Sequence, residues 1–402
     1  VTYDVGALRA EIPALRSGVA HFDGPGGTQT PARVARAVAD ALTSPLSIRG
    51  HLTPGEANAE RHVREFRQAM ADLVGGDAAG VVFGRSATQL TYDVAHTLAK
   101  DWEPGDEVVV SSLDHDSNIR PWMQAAARAG ARVRRADFDP ATGELPPSAV
   151  GDLLSERTRL VAVTAASNLI GTMPDIAGIA RLVHRHPRAL LHVDGVHYAA
   201  HASVDLARLG ADLFVCSPYK FLGPHHGVLV AAPELLEGLR PDKLLPSTDV
   251  VPERFELGTL PYEMLAGTTA AVDLLAGLAP DASGGRRDRL RSAFAAIGRH
   301  EEGLRGELEA GLAALPGVTV YARAAVRTPT LLLGFDGRDA AEASRFLAAR
   351  SVHAPAGSFY AVEASRHLGL GDTGGLRVGL SPYTDKDEVA RLLEGLADFL
   401  RS

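Results

Sequence analysis

Seven short apolar runs lie between residues 80 and 232. They are GVVFG (80–84), DEVVVSS (106–112), ARVRRAD (131–137), TRLVAVTAA (158–166), ALLHVD (189–194), ADLFVCS (211–217) and GVLVAA (227–232). Most are continuously apolar rather than alternating, which is how strands buried on both faces read. Ala-rich helical patterns stand between them, at 87–100, 118–130, 175–186 and 204–209. Strands that alternate with helices build parallel neighbours through crossovers, and the helices then cover both faces of the sheet. The pattern predicts an α/β fold whose large domain has a mainly parallel, seven-stranded sheet between helices.

The pattern breaks at DASGGRRD (281–288). A long helical stretch follows (287–315), then GVTVYA, TPTLLLGF, a helix candidate at 339–350, GGLRVGLS and a closing helix over 385–401. This predicts a smaller C-terminal α+β domain. The expected division is an N-terminal arm (1–20), a large domain (21–282) and a small domain (283–402).

Composition narrows the function classes. With 46% hydrophobic residues the chain can bury a large core. Its 41 Lys and Arg against 49 Asp and Glu give a net charge of −8, which argues against a broad nucleic-acid footprint. One cysteine excludes an internal disulfide and any multi-cysteine metal site. No apolar run approaches the roughly 20 residues of a membrane span. The expectation is a soluble cytoplasmic protein that binds neither nucleic acid nor membrane.

In open parallel sheets, ligands bind beyond the carboxyl ends of the strands. Here those positions are polar: GRSATQ (84–89), SSLDHDSN (111–118), ASNLIGT (166–172), HVDGVHYAAH (192–201) and CSPYKFLGPHHG (216–227). Asp194 ends an apolar strand, where an unpaired charge is costly and a cationic partner is needed. A protonated ring nitrogen would serve; a plain helix N-cap is the alternative. Lys220 follows the next strand, where desolvation would give a reactive amine. A solvated surface lysine is the alternative. Ser86 and Thr88 stand at a helix N-terminus suited to phosphate, or simply cap it. His115 could stack on a planar ring, or merely hydrogen-bond its neighbours. Together, a strand-end Asp, a lysine one strand later and a phosphate cup point to pyridoxal 5′-phosphate.

The motifs also resemble, in order, those of a known family. They are HFDGPGGTQTP (21–31), SIRGH (47–51), LDHDSNIRPW (113–122), SNLIGT (167–172), HVDGVHYAAH, CSPYKFLGPHHG, FELGTLPY (255–262) and LRVGLSPYTDKDEVARL (376–392). The chain resembles the class V aminotransferase group of fold-type-I pyridoxal-phosphate enzymes, and within it the cysteine desulfurase-like branch. The resemblance implies that Lys220 holds the cofactor covalently and Asp194 pairs with its ring nitrogen. It implies that His115 stacks on the ring and that Asn168 and His197 lie near the phenolic oxygen. Ala87, Thr88, Ser217 and Tyr219 would bind the phosphate. Thr259 would reach the phosphate of a neighbouring subunit, which implies a homodimer with active sites at the interface. Arg377 would clamp the carboxylate of a small amino-acid substrate, and His51 of the SIRGH segment joins it as a substrate-binding candidate.

One departure matters. Desulfurases of this branch take sulfur onto a cysteine of the C-terminal region. Here that region, RSVHAPAGSFYAVEASRHLG (350–369), has none, and Gly357, Ser358 and Phe359 stand about where the nucleophile is expected. Cys216, inside a strand, reads as a small buried hydrophobe. The expectation is therefore cleavage of a side-chain bond, by Cβ or Cγ lysis, elimination or decarboxylation, without a persulfide relay. Transamination, epimerisation and aldol-type carbon–carbon bond formation are the alternatives. Arg120 could meet a second anionic group of the substrate, or lie on a helix surface. A non-catalytic scaffold is the competing class; Lys220, Asp194 and Arg377 together argue against it. The histidine pairs at 184–186 and 225–226 read as surface or turn residues and call for no metal.

Overall fold

A computed structural model describes residues 3–279 and 282–402. The first two residues of the expected arm, and Asp281 at the start of the 281–288 break, lie outside the described residues.

Strand β1 (Ala20–His21) comes first, followed by the seven apolar runs as β2 (Val81–Gly84), β3 (Glu107–Ser111), β4 (Arg132–Ala136), β5 (Thr158–Thr164), β6 (Leu190–Asp194), β7 (Leu213–Cys216) and β8 (Gly227–Ala231). They form one sheet in the order β2-β8-β7-β6-β5-β3-β4. Only β8 runs against its neighbours. The carboxyl ends of the other six therefore share one edge, and β8 brings its first residue, Gly227, to that edge beside Gly84.

The continuous apolar runs have the predicted cause. Along β5, Val161 and Val163 pack into the core on one face, and Leu160 and Ala162 into the core on the other. β7 does the same, with Phe214 and Cys216 on the first side and Leu213 and Val215 on the second. Helices Ala87–Leu98 and Arg120–Ala129 cover one face; Pro54–Val74 and Tyr262–Ala276 contribute to the core on the other. Pro54–Val74 starts from a capping box between Thr53 and Glu56.

After helix Arg286–Ala313 come β9 (Val318–Tyr321), β10 (Thr330–Phe335), β11 (Val352–His353), β12 (Ala356–Gly357) and β13 (Gly375–Gly379). An antiparallel sheet, β12-β13-β10-β9, packs its own core with the closing helix Lys386–Arg401. β1 pairs in parallel with β11, and Asp23 bridges Gly379. Ala20 and Phe22 lie in that C-terminal core. The chain thus begins the segment 20–27 against the C-terminal sheet and ends it beside Lys220. Among the described residues no helix is long and apolar enough to cross a membrane.

Candidate active site

A cavity of about 690 Å³ opens at the carboxyl edge of the large sheet. Ala87, Thr88, His115 and Arg120 line it from one side, and Asn168, Asp194 and His197 from the strand ends. Ser217, Tyr219 and Lys220 close its floor, and Arg377 reaches in from β13. His51 and Thr259 do not line it; both are exposed on loops away from it.

Lys220 sits in a single 3-10 turn, Pro218–Lys220, directly after β7. It is a buried residue rather than a solvated one. Its Nζ donates to the carbonyls of Pro25 and Gly26. Burial, with the nearby Arg377 charge, pulls its ammonium down to about 7, although Asp23 and Asp194 pull the other way. Asp194 ends β6, and its Oδ1 accepts from the Val196 N–H at 2.9 Å. Burial pushes its carboxyl up to about 6 against that bond and the charge of Lys220. A cation brought into the cavity would relieve it.

Helix Ala87–Leu98 begins at the cavity. Ser86 is its N-cap, accepting from Gln89 N–H at 3.1 Å. The amides of Ala87 and Thr88 have no carbonyl a turn earlier to bond, so this end suits an anion. Gly227 permits that placement, because a Cβ there would lie 2.4 Å from Ala87 N.

His115 precedes another 3-10 turn, and its Nδ1 accepts from Ser117 N–H at 3.1 Å. That bond places the proton of the neutral ring on Nε2. Burial, then Lys220 and Arg377, lowers the imidazolium to about 4. Beneath the turn lies Asp114, bonded to Ser111 and, at 2.7 Å, to Asn118 Nδ2. Asn118 in turn accepts from Trp122 Nε1 at 3.0 Å. Burial pushes the Asp114 carboxyl up to about 8.

His197 directs Nε2 to the hydroxyls of Thr328 and Thr330, each at 3.0 Å. Its Nδ1 is buried without a partner among the described residues, as are Asn168 Oδ1 and Arg377 Nε. Burial, then the neighbouring His201, Lys220 and Arg377, keeps His197 well below the usual imidazole range. Arg120 lines the cavity, but its Nε forms an ion pair with Asp116 at 2.8 Å and its Nη2 donates to Glu363 at 2.6 Å. Both carboxylates would compete with any second anionic group of a ligand.

The lining also includes residues that the sequence motifs do not assign to the site, among them Asp23, Asp116 and Tyr360, and Phe359, expected only near a nucleophile position, forms a cavity wall. Asp23 and Asp116 lie in the HFDGPGGTQTP and LDHDSNIRPW motifs and the aromatic pair in the 350–369 region, yet nothing local shows which face they meet. Phe359 and Tyr360 both have left-handed backbones, φ 52° and 58°, an uncommon state for bulky side chains. Asn168 Nδ2 donates to Phe359 O at 2.9 Å, and Asp116 N–H to Tyr360 O at 2.7 Å. These bonds hold the turn over the cavity. Of the histidine pairs, only His226 departs from the expected surface or turn placement. His184 and His186 do meet carboxylates, Asp212 and Glu156. His226 is buried against Thr268, and His225 stacks on Tyr219. Among the described residues no three metal-ligating side chains cluster.

A parallel sheet with a desolvated lysine, a strand-end aspartate and an open helix N-terminus around one cavity defines an α/β enzyme that works through a lysine-bound cofactor. Comparison with known proteins agrees. The family model for aminotransferase class-V matches residues 20–392. An uncharacterized protein of Mycobacterium tuberculosis is 32% identical over 99% of both chains. A probable cysteine desulfurase of Pseudomonas aeruginosa is 30% identical over 96% of both. The crystal structure of the cysteine desulfurase CsdA from Escherichia coli superposes with a TM-score of 0.87 at 24% identity, covering 100% of this chain and 99% of that one. The chain belongs to the aminotransferase class-V family and is a pyridoxal-phosphate enzyme of the cysteine desulfurase-like fold. The cavity suits that cofactor: it offers three buried polar atoms without partners among the described residues, a helix N-terminus for a phosphate and a carboxyl whose burial the charge of Lys220 offsets only in part.

Proposed function

We propose that this enzyme cleaves a side-chain bond of a small amino acid, at Cβ or Cγ or by decarboxylation, without passing sulfur through a protein persulfide. The supporting observation is the position of the only cysteine. Cys216 is 0% exposed within the sheet core, and burial, with the charge of Asp194, pushes its thiol up, away from the reactive thiolate. It is not part of the cavity lining, where Phe359 and Tyr360 cover the mouth.

Bound pyridoxal phosphate supplies an electron sink that acidifies bonds at the substrate Cα. In this reading Lys220 is the covalent anchor and then the base that moves the proton at Cα. Asp194 holds the ring nitrogen protonated, and His115 covers the ring with Nε2–H available as a donor. Ala87, Thr88, Ser217 and Tyr219 hold the phosphate; Asn168 and His197 serve the phenolic oxygen. Arg377 takes the substrate carboxylate. Arg120 serves a second acidic group only if that group displaces Asp116 or Glu363.

The loops carrying His51 and Thr259 also expose Ile48, Leu52 and Leu257, and Leu244 and Leu245 stand exposed nearby in sequence. Apolar exposure of this kind supports a homodimer in which both residues serve the partner's site. A cytoplasmic location belongs to the same reading.

Epimerisation or transamination is the second reading. It is favoured by the desolvated Lys220 amine, since a base that removes a proton from Cα can also return it. A panel of amino acids separates the readings, with sulfide, carbon dioxide and keto-acid release and Cα deuterium exchange measured together. Side-chain fragmentation with no sulfur acceptor present supports the proposal. Deuterium exchange with the side chain intact supports the second reading. Efficient sulfide transfer to an acceptor protein overturns the proposal.

A further inference from the structure

Arg377 stands on β13 with its side chain 3% exposed. A buried guanidinium needs a counter-charge, and the chain supplies one of its own. Asp23 Oδ1 lies 2.5 Å from Arg377 Nη2. Asp23 is fixed by its backbone, which bridges Gly379, two residues beyond Arg377 on the same strand. Its carbonyl accepts from the N–H groups of Gly26 and Gly27, closing the turn whose Pro25 and Gly26 carbonyls receive Lys220 Nζ. Glycine at 26 leaves room for the carboxylate: a Cβ there would lie 2.2 Å from Asp23 Oδ2.

The guanidinium is held on two further sides. Nη1 donates to Asn168 O at 3.1 Å, and its Cζ lies 3.6 Å from the centre of the Phe359 ring. Nε–H is buried with no partner among the described residues. A guanidinium has five N–H donors, so an incoming carboxylate finds free donors without displacing Asp23. It then shares one buried guanidinium with the carboxylate of Asp23, whose side chain is 27% exposed, and like charges so close repel.

We propose that Asp23 is a specificity-determining residue: a built-in carboxylate on Arg377 that admits zwitterionic amino acids and disfavours carboxylates that lack an amine. An amino acid carries an α-ammonium that offsets the charge of Asp23; a plain carboxylate does not. Discrimination then comes from a repulsive element as well as an attractive one. The inference rests on the reading of Arg377 as the substrate carboxylate clamp.

The test is calorimetric titration of the holoenzyme with propionate, which has no amine, and with alanine, which has one. In Asp23→Asn, propionate should bind about ten-fold tighter than in the wild type, while alanine changes less. Asp23→Glu, which keeps the charge, should restore the preference for alanine. Asp23→Ser is a second neutral variant in case the first does not fold. Suppose the neutral variants bind propionate no better, while Arg377→Gln weakens both ligands. Asp23 is then only structural, and the inference is overturned with the reading of Arg377 intact. If Arg377→Gln leaves both ligands unchanged, the clamp reading fails and the inference falls with it.

Discussion

Lys220 has two carbonyl acceptors and two carboxylates near it, yet its ammonium is still destabilised. Desolvation is the larger effect in so buried a position. The neutral amine is therefore the dominant form above about pH 7. The apoprotein should take up pyridoxal phosphate at a rate that rises with pH to about 7 and then levels, followed by visible absorbance. A rate still climbing toward pH 10 would contradict the buried amine. His192, two residues before Asp194, shows the opposite kind of burial. Neither ring nitrogen has a well-formed hydrogen bond among the described residues, and it packs edge-on against Trp122, 5.0 Å between ring centres. Burial lowers it from the ordinary 6.5 to about 3. Between those pH values the unfolded chain binds the proton and the folded one does not, so folding weakens as pH falls. His192→Leu should stabilise the protein by about 1–2 kcal/mol at pH 7, because it removes unpaired buried polar groups. The gain should be larger at pH 5. Urea unfolding at the two pH values measures both.

The elements act through their ends. Five strands end in polar turns at one edge because they run parallel, and β8 reverses to bring a glycine rather than a side chain to the phosphate turn. Gly227→Ala would set a Cβ 2.3 Å from the Ser86 carbonyl carbon and 2.4 Å from Ala87 N. Both are backbone atoms, so the helix start must move. Cofactor affinity should fall by about ten-fold or more, read by titrating the apoprotein with pyridoxal phosphate. Far-UV circular dichroism should stay the same, since the helix itself is not broken. At this scale the sequence was highly legible. All seven strand runs and the four intervening helix candidates appear within a few residues of their expected bounds. Continuous apolar runs of strand length have one stable use in an α/β chain, burial on both faces. The two-residue strands β1, β11 and β12 were not legible, because so short a segment has no period to read.

Across the whole molecule, the site joins segments far apart in sequence. Asp23, Lys220, Phe359 and Arg377 meet in one cavity. The proposed dimer extends this logic to a second chain. Leu52 is 93% and Leu245 98% exposed, and burying them between subunits would contribute about 1.5–3 kcal/mol each. Leu52→Glu combined with Leu245→Glu should shift sedimentation toward a monomer and lower activity. A variant that stays dimeric would remove these loops from the interface.

The sequence by itself determined the sheet, its helical cover and the chemical identity of the strand-end residues Asp194, Lys220 and His115. Those follow from local periodicity and from the rule that polar side chains at buried strand ends need partners. Only the tertiary structure decided which partners they have. Arg377 is paired with Asp23, Arg120 with Asp116 and Glu363, and Phe359 covers the guanidinium. Charge pairing and desolvation depend on distance in space, and these partners come from separate sheets and loops far apart in sequence. Burial decides the role of the single cysteine in the same way: Cys216 packs in the core because β7 is buried on both faces, and Lys220, four residues past the strand end, lies outside the strand.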